Sequence, residues 1–118
     1  DFWPGPLTLV LPARRELPKF LKGPNQTIAL RWSSSSVVQE MIKLGECSLI
    51  GTSANLSGMP SCSSSAEVVE QFGDQTPLLV DSDVLLENPP TTLLDCTQTP
   101  FSFIRSGSID QKILEDYI

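Results

Sequence analysis

Short runs of aliphatic and β-branched residues recur along the chain and alternate with polar segments rich in proline, glycine and serine. Runs of this length and composition, bounded by turn residues, predict β-strands. The six predicted strands are residues 7–11, 27–31, 47–50, 77–81, 91–95 and 101–105. The chain is therefore predicted to be built around a β-sheet.

Apolar residues at helical spacing lie between these strands. A first helix is predicted to follow the serine run and to begin with Ser36 and Gln39 as a capping box. A second helix is predicted to begin in the same way with Ser64 and Glu67, and a third to cover residues 108–118. Strands that alternate with helices favour an α/β fold with a partly parallel sheet, and the two consecutive late strands favour some antiparallel pairing.

The composition is that of one folded domain. A chain of 118 residues with 40% hydrophobic content can bury one core and is too short for two. The net charge of −6 has the wrong sign for a protein that binds nucleic acid mainly through phosphate contacts. No apolar stretch is long enough for a bilayer, so no membrane partner is expected. The chain begins at Asp1 and ends at Ile118 inside a predicted helix, so we expect a piece of a larger fold.

The cysteine and histidine content excludes several kinds of active site. The three cysteines are widely spaced and form no CxxC pair, and the chain has no histidine. This content argues against a zinc site and a disulfide framework, and it excludes Ser-His-Asp and Cys-His catalysis within the chain. It favours a reducing, intracellular setting. Asp81, Asp83 and Asp95 are interpreted as strand ends and not as a metal cluster.

The segment IGTSANLSGMPS, residues 50–61, carries the most distinctive polar chemistry of the chain. It is predicted to leave the carboxyl end of a strand and to precede a helix, where α/β folds bind ligands. Gly51 permits close approach of a ligand, and Ser53, Asn55 and Ser61 offer neutral hydrogen bonds. Two interpretations stay open: a cradle for a phosphate or carboxylate, or a turn whose side chains only satisfy backbone groups.

Two arginines at predicted strand ends are further candidates for binding an anion. Arg31 ends the second predicted strand, and Arg105 ends the sixth, before a Ser-Gly turn. A guanidinium there fits bidentate capture of an anionic ligand, and it fits a surface salt bridge equally. By residue type alone, Thr91 is interpreted as a β-branched residue on an edge strand.

Five short motifs occur in a fixed order along the chain. They are WPGPLT at 3–8, IALR at 28–31, TSANLSG at 52–58, TTLLD at 91–95 and IRSG at 104–107. Together they resemble the motifs of the YrdC-like threonylcarbamoyl-AMP synthase family, and the resemblance covers nearly the whole chain. It implies an α/β, three-layer YrdC-like domain with a twisted mixed sheet. Residues 1–118 would form a single partial domain that lacks its amino-terminal part.

The resemblance implies an enzyme that joins L-threonine, bicarbonate and ATP into threonylcarbamoyl-AMP and releases pyrophosphate. The product would serve the threonylcarbamoyl modification of tRNA, so tRNA or tRNA-modifying proteins would be partners. Mg²⁺ would accompany ATP, bound mainly through phosphate oxygens and water. The expected location is the cytoplasm, or an organelle in a eukaryote.

The resemblance also implies roles for eight residues at matching motif positions. The residues expected to contact the nucleotide are Thr27, Ser53, Asn55, Ser61 and Arg105. The residues expected to contact threonine are Arg31, Gly51 and Thr91. No residue is expected to act as a covalent nucleophile or as a metal ligand, because adenylate formation depends on positioning and charge neutralisation.

Three departures from the family pattern shape this expectation. The family's amino-terminal basic motif for the phosphates is absent from the chain. Pro90 and Thr91 stand where most members have an acidic residue and a serine, and Trp32 and Ser33 stand where a small residue and proline are usual. The chain alone is therefore expected to be inactive. The alternative function is that of a paralogue that binds nucleotide or RNA without catalysis.

Overall fold

The computed structural model describes residues 1–76, 78–81 and 89–118. The elements are β1 (Leu7–Pro12), β2 (Thr27–Leu30), α1 (Ser36–Gly45), α2 (Ser65–Phe72), β3 (Thr92–Asp95), β4 (Ser102–Arg105) and α3 (Gln111–Glu115). Short 3₁₀ turns cover Lys19–Leu21, Pro24–Gln26 and Gly73–Gln75. By its internal contacts the chain divides into unit 1, residues 1–39 and 89–118, and unit 2, residues 40–88.

The four described strands form one mixed sheet in unit 1, with the order β2-β1-β3-β4. Strand β1 runs antiparallel to β2 and parallel to β3, and β3 runs antiparallel to β4. The parallel pair joins Leu7 to Thr92 and Val10 to Asp95. The predictions of an α/β fold, a partly parallel sheet and antiparallel pairing of the last two strands are therefore confirmed.

One face of the sheet packs against the carboxyl-terminal segment of unit 1. Leu7 and Leu94 are buried on this face together with Ile109 and Leu114. Thr92 is fully buried beside them. Its hydroxyl donates to the carbonyl of Ile109 at 2.9 Å and accepts from the amide of Ile109 at 3.0 Å. Because a buried hydroxyl without partners would destabilise the core, these two bonds explain how Thr92 is accommodated.

On the opposite face of the sheet, the described residues form no buried apolar cluster. Side chains alternate between the two faces of a strand, so Thr8 and Val10 point away from the core that Leu7 contributes to. The register places Val10 beside Ala29 of β2 and Asp95 of β3. We call this side, defined by Thr8, Val10, Ala29 and Asp95, the open sheet face.

Two of the six predicted strands are not found. Residues 47–50 form no strand, and Leu49 and Ile50 are 44% and 72% exposed. In the other segment, Pro77 lies outside the described residues and residues 78–81 form no strand. An apolar run becomes a strand only when a neighbouring strand supplies its hydrogen bonds. The four described strands pair only among themselves, so neither run has such a neighbour.

Helix α1 begins where predicted but is capped by a different residue. Its first helical residue is Ser36, so the capping hydroxyl must come from the residue before it. The Ser35 hydroxyl accepts from the amide of Val38 at 3.4 Å. The Gln39 side chain donates to the carbonyl of Ser33 at 2.8 Å. The predicted capping box of Ser36 and Gln39 is therefore wrong by one residue.

Helix α2 has the predicted cap, and α3 is shorter than predicted. The Ser64 hydroxyl accepts from the amide of Glu67 at 3.3 Å, and the Glu67 carboxylate accepts from the amide of Ser63 at 2.8 Å. Helix α3 begins only after Asp110, whose carboxylate accepts from the amide of Lys112 at 2.9 Å. Within the described residues, every helix is too short or too polar to cross a membrane.

Candidate functional site

Four of the eight residues singled out in the sequence lie on the open sheet face of unit 1. Thr27 begins β2, and Arg31 follows the strand directly. Thr91 immediately precedes β3, and Arg105 ends β4, where it pairs with Leu93. Alternation along β2 and β3 places Thr27, Arg31 and Thr91 on the side opposite the core. Arg105 lies on that side because it pairs with Leu93, across an irregularity in the β3–β4 register.

Thr91 and Arg105 contact each other directly. The Nε and Nη2 atoms of Arg105 donate to the carbonyl oxygen of Thr91 at 3.2 and 3.0 Å, and Nη2 also donates to the Thr91 hydroxyl at 3.1 Å. The Thr91 hydroxyl lies 2.8 Å from the hydroxyl of Thr8. One proton of this pair forms the bond between the two hydroxyls, so the other O–H is free to donate to a ligand.

Gly107 makes this contact geometrically possible. A Cβ atom at position 107 would lie 2.2 Å from the carbonyl oxygen of Pro90 and 2.4 Å from backbone atoms of Thr91 and Thr92. The backbone that follows β4 therefore passes directly against the backbone that precedes β3, which only a residue without a side chain permits. This close approach keeps Arg105 within reach of Thr91.

Arg31 lies at the other edge of the sheet. Its Nε donates to the carbonyl of Gly5 at 3.0 Å, and the amide of Gly5 donates to the carbonyl of Trp32 at 2.8 Å. A Cβ at position 5 would lie 2.5 Å from the carbonyl oxygen of Phe2, so the turn requires glycine. The turn of the WPGPLT motif thus orients Arg31. In the described part of the chain its two Nη atoms have no protein partner, which leaves them for an anion.

A cavity of about 670 Å³ opens on the same face. Its lining combines residues of the open sheet face with the turn before β2 and the segment after β3: Val10, Pro12, Gly23, Pro24, Asn25, Thr27, Ala29, Asp95, Thr97, Gln98 and Ile104. The Thr27 hydroxyl donates to the carbonyl of Pro24 at 2.8 Å, which fixes the side chain at the cavity wall. A volume of this size is typical of sites that hold small organic molecules.

The rim of the cavity combines a carboxylate with a left-handed turn. Hydrogen bonds from the hydroxyl and the amide of Thr97 lower the pKa of the Asp95 carboxyl, so it is ionised at neutral pH. Asn25 and Gln26 have φ angles of 55° and 57°, a region that costs residues other than glycine about 1–2 kcal/mol. Among the described residues, the carboxamides of Asn25 and Gln98 bind no protein group and are available to a ligand.

In unit 2, the other four residues lie in one hydrogen-bonded loop, residues 51–62, which we call the Ser53 loop. The amide of Cys62 donates to the carbonyl of Ala54 at 2.8 Å and closes the loop. Inside it, the amide of Met59 donates to the carbonyl of Leu56 at 2.9 Å and closes a tight turn. These backbone bonds give the loop a defined shape without a flanking strand.

Asn55 fills the interior of the Ser53 loop. Its Nδ2 donates to the carbonyls of Leu56 and Met59, each at 3.0 Å. Gly58 occupies the third position of the tight turn with a φ of 85°, as a type II turn demands. The Oδ1 atom of Asn55 is buried and has no partner within the described residues. A buried oxygen without a donor lowers the stability of the loop.

Ser53, Ser61 and Gly51 lie on the exposed side of the Ser53 loop. The two serine hydroxyls bond no protein group in the described part of the chain, and no atom lies within 4 Å of a Cβ built on Gly51. Open space at these positions allows a ligand to approach the backbone. The prediction that this loop leaves the end of a strand is wrong, because residues 47–50 form no strand.

Two side chains of helix α2 form hydrogen bonds with this part of the chain, Gln71 with the Ser53 loop itself and Glu67 with the residue that follows the loop. Gln71 accepts from the amide of Leu56 through Oε1 and donates from Nε2 to the carbonyl of Pro60 at 3.3 Å. Glu67, one helical turn earlier, accepts from the amide and the hydroxyl of Ser63, and these bonds lower the pKa of its carboxyl. The helix therefore holds the loop at Leu56 and Pro60 and holds the chain just after it at Ser63.

Sequence reasoning missed two residues that contact the candidate site residues or their loop: Thr8, which bonds Thr91, and Gln71, which bonds the Ser53 loop. Thr8 belongs to the WPGPLT motif, but its contact with Thr91 depends on the parallel pairing of β1 with β3, which no local pattern specifies. Gln71 lies in a polar stretch typical of a solvent-exposed helix face. Its spacing of four residues from Glu67 is the signal that could have placed both on one side of α2.

Comparisons with known proteins agree with the motif order. A family model named Sua5/YciO/YrdC and described as "Telomere recombination" matches residues 1–107. A threonylcarbamoyl-AMP synthase of Pyrococcus abyssi is 33% identical over 117 residues, which are 99% of this chain and 34% of that protein. A threonylcarbamoyl-AMP synthase of Klebsiella pneumoniae is 41% identical over 87 residues, 74% of this chain and 46% of that protein.

Solved structures show the same fold. A structure of P. abyssi Sua5 complexed with L-threonine has a TM-score of 0.89 at 33% identity, and the match covers 98% of this chain and 34% of that one. A structure of Escherichia coli YciO has a TM-score of 0.77 at 27% identity, covering 92% of this chain and 53% of that one. The chain thus spans about a third to a half of the length of the proteins it matches.

Proposed function

Because the chain belongs to the Sua5/YciO/YrdC family, we propose that it supplies nucleotide- and threonine-binding residues to a threonylcarbamoyl-AMP synthase. The relatives that carry this name support the proposal, and so does the L-threonine complex of P. abyssi Sua5. The observation that carries it is the contact of Arg105 with Thr91, since two residues from separate motifs meet on the open sheet face.

The proposed reaction needs charge neutralisation and alignment more than covalent catalysis. The amine of L-threonine combines with bicarbonate to give a carbamate, with loss of water. A carbamate oxygen then forms a bond to the α-phosphorus of ATP while the bond to pyrophosphate breaks. Fixed hydrogen-bond donors and guanidinium groups stabilise the charge that develops on the phosphate oxygens. The donors described above in each unit are of this kind.

In unit 1, we assign Thr27 and Arg105 to the nucleotide, and Arg31 and Thr91 to threonine. The unpaired Nη atoms of Arg31 suit the threonine carboxylate, because a guanidinium binds a carboxylate through two parallel bonds. The hydroxyl pair of Thr91 and Thr8 retains one free O–H for the same ligand. Arg105 contributes positive charge beside Thr91, and Thr27 lies in the lining of the cavity, which has room for part of a nucleotide.

In unit 2, we assign Ser53, Asn55 and Ser61 to the nucleotide and Gly51 to threonine. The exposed serine hydroxyls can donate to phosphate oxygens, and the open space at Gly51 allows a substrate to approach the backbone. Asn55 would serve the nucleotide by holding the loop in shape, through its bonds to the carbonyls of Leu56 and Met59. The shape of the loop is fixed by its own hydrogen bonds together with those from helix α2, so it loses little entropy when the ligand binds.

Mg²⁺ would enter together with ATP. The described residues contain no group of three or more acidic, cysteine or histidine side chains that could hold a metal ion. Mg²⁺ commonly keeps several waters and binds substrate phosphates, so such a group is not required. The ion would neutralise phosphate charge. We further propose that the product serves tRNA modification in the cytoplasm, for which the three free cysteines suit the reducing conditions.

A second candidate function is nucleotide or RNA binding without adenylate formation. The pair Pro90 and Thr91 favours it, because it departs from the usual family sequence at a position assigned to threonine. In this structure the Thr91 hydroxyl already bonds both Thr8 and Arg105. A protein of this kind would bind ATP or RNA but would show no turnover that depends on threonine.

Pyrophosphate release by the full-length protein that carries this sequence tests the proposal. Release with ATP and Mg²⁺ is expected only when L-threonine and bicarbonate are both present, and the 118-residue chain alone is expected to give none. ATP binding without release would support the second candidate, and RNA binding that weakens steeply with salt would assign it to RNA.

Two substitutions test the assigned residues. Ser53→Ala is expected to weaken ATP binding about tenfold and Arg105→Ala about a hundredfold, as for a neutral and a charged hydrogen bond to phosphate. The matched controls Ser48→Ala and Arg14→Ala change exposed side chains without hydrogen bonds in the described part of the chain, and should leave the affinity unchanged. Unchanged ATP affinity in both test variants, measured by titration calorimetry, would remove the basis of the proposal.

A further inference from the structure

The Ser53 loop contacts helix α2 through one side chain that makes two backbone bonds. Gln71 accepts a hydrogen bond from the amide of Leu56 and donates one to the carbonyl of Pro60. Leu56 and Pro60 flank the tight turn that contains Gly58. The two bonds therefore tie both ends of this turn to the rigid backbone of a helix.

We infer that Gln71 is a positioning residue that fixes the Ser53 loop in its ligand-binding shape. The inference rests on the proposed function, in which Ser53 and Ser61 of this loop contact the nucleotide. The hydrogen bonds of the Gln71 side chain within the described residues go to backbone atoms at positions 56 and 60, so it acts through the loop and not on the ligand.

The chemistry of the contact requires a carboxamide. Leu56 offers a donor and Pro60 an acceptor, and only a side chain with an acceptor and a donor on one planar group satisfies both. A carboxylate would accept from Leu56 but would repel the carbonyl of Pro60. A side chain that was only part of the exposed helix surface would need neither the acceptor nor the donor of the carboxamide. Gln71 is half-buried, whereas its neighbour Glu70 is exposed and makes no hydrogen bond or ion pair in the described residues.

The loop depends on this contact because it has few other anchors. It has no strand before it, and its own bonds, between Cys62 and Ala54 and within the turn at residues 56–59, join the loop only to itself. The next contact with α2, between Glu67 and Ser63, lies just beyond the loop. Without Gln71, the turn can fluctuate as a unit, and the entropy of ordering it would oppose ligand binding.

Gln71→Met in the full-length protein tests the inference, with Glu70→Met as the matched control. Methionine keeps the length of glutamine and removes both hydrogen bonds. We expect the Kd for ATP to rise about tenfold, while kcat at saturating ATP stays within about twofold, since the loop would be ordered once ATP is bound. Hydrogen exchange at the Leu56 amide should accelerate, while exchange within α2 should not. Glu70→Met should change none of these.

The outcomes separate this inference from the proposed function. If Ser53→Ala and Arg105→Ala weaken ATP binding but Gln71→Met does not, the Gln71 inference alone is overturned. If all three leave ATP affinity unchanged, the proposed function is overturned and the positioning role with it. A Gln71→Met protein that binds ATP normally despite faster exchange at Leu56 would also overturn the inference, because the contact would then be structural only.

Discussion

On the open sheet face, the hydroxyl groups of Thr8 and Thr91 determine which hydrogen bonds a ligand can form there. The Thr91 hydroxyl accepts a hydrogen bond from Arg105 and forms another with the Thr8 hydroxyl, in which either can donate, and these two contacts orient it. An oriented hydroxyl loses less entropy on binding than a free one. Thr8 therefore influences the ligand through Thr91, although Thr8 was not among the eight residues to which the motifs assigned a role.

Thr8→Val tests this influence at the residue scale. Valine keeps the shape of threonine but cannot bond the Thr91 hydroxyl, so we expect the KM for L-threonine of the full-length protein to rise about three- to tenfold. The KM for ATP should change less. Thr8→Ser keeps the hydroxyl and should restore the KM for L-threonine. An unchanged KM for L-threonine in Thr8→Val, measured by pyrophosphate release, would show that the Thr8 hydroxyl is not needed.

The sequence could identify candidate residues but not their contacts. Motif order singled out Arg31, Thr91 and Arg105, and the structure brings Thr91 and Arg105 into direct contact. Their neighbours come from register and close approach: Thr8 reaches Thr91 through the pairing of β1 with β3, and the Gly5 carbonyl receives Arg31 through a turn. Such contacts join distant parts of the chain, and no local pattern encodes them. The roles of the eight residues toward ligands remain predictions.

At the scale of elements, helix α2 illustrates how local signals can predict structure well. Its cap follows from the spacing of Ser64 and Glu67, and both the helix and the cap are found. Glu67 then adds a bond to the amide of Ser63 that lies just outside the predicted capping box. The start of α2 is therefore set by the side chains of Ser64 and Glu67.

The cap of α2 should make its stability depend on pH. Hydrogen bonds from the amide and then the hydroxyl of Ser63 lower the pKa of Glu67 below its ordinary value of 4.5. A lowered folded-state pKa means that the carboxylate stabilises the helix above the unfolded-state pKa. The contribution is lost as the pH falls through the lower folded-state value. Glu67→Gln should remove this dependence, and Glu70→Gln should keep it.

Nuclear magnetic resonance titration of the full-length protein measures this effect. The Glu67 carboxyl should titrate with a midpoint below 4.5, and the amide of Ser63 should shift with the same midpoint. A midpoint at or above the ordinary glutamate value would contradict the assigned cap.

The strands were predicted less well than the helices because a strand depends on partners outside its own segment. Residues 7–11 and 47–50 are similar apolar runs, yet only the first has neighbours on both sides, in β2 and β3. The second has none in the described residues and forms no strand. A helix forms its hydrogen bonds within itself, so its sequence pattern is closer to sufficient.

At the scale of the whole molecule, the described residues contain a small core. Four apolar residues are buried, namely Leu7, Leu94, Ile109 and Leu114, while many large apolar side chains elsewhere are exposed. A core of this size leaves little reserve against the loss of any one member. At this scale the net charge of −6 also predicts that the chain does not bind RNA strongly and independently of its sequence, because like charges repel the phosphate backbone.

Leu114→Ala tests how far this core depends on single residues. Leu114 is 1% exposed, and its truncation is expected to cost about 2–5 kcal/mol of the free energy of unfolding. The matched control is Ile113→Ala on the same helix, where the side chain is 52% exposed and the cost should stay below about 1.5 kcal/mol. Urea unfolding of the full-length protein gives both values. Similar losses in the two variants would show that α3 does not pack as described.

The interruption of unit 1 by unit 2 has a consequence for the order in which the molecule is made. Thr8 and Thr91 touch although 83 positions separate them in the chain. A ribosome releases the chain from its amino end, so β1 emerges long before β3 exists to pair with it. Joining such distant segments is slow, because closing a long loop costs entropy before any contact forms. The open sheet face therefore acquires Thr91 and Arg105 only after unit 2 has been made, and a nascent chain that stops before β3 carries an incomplete surface.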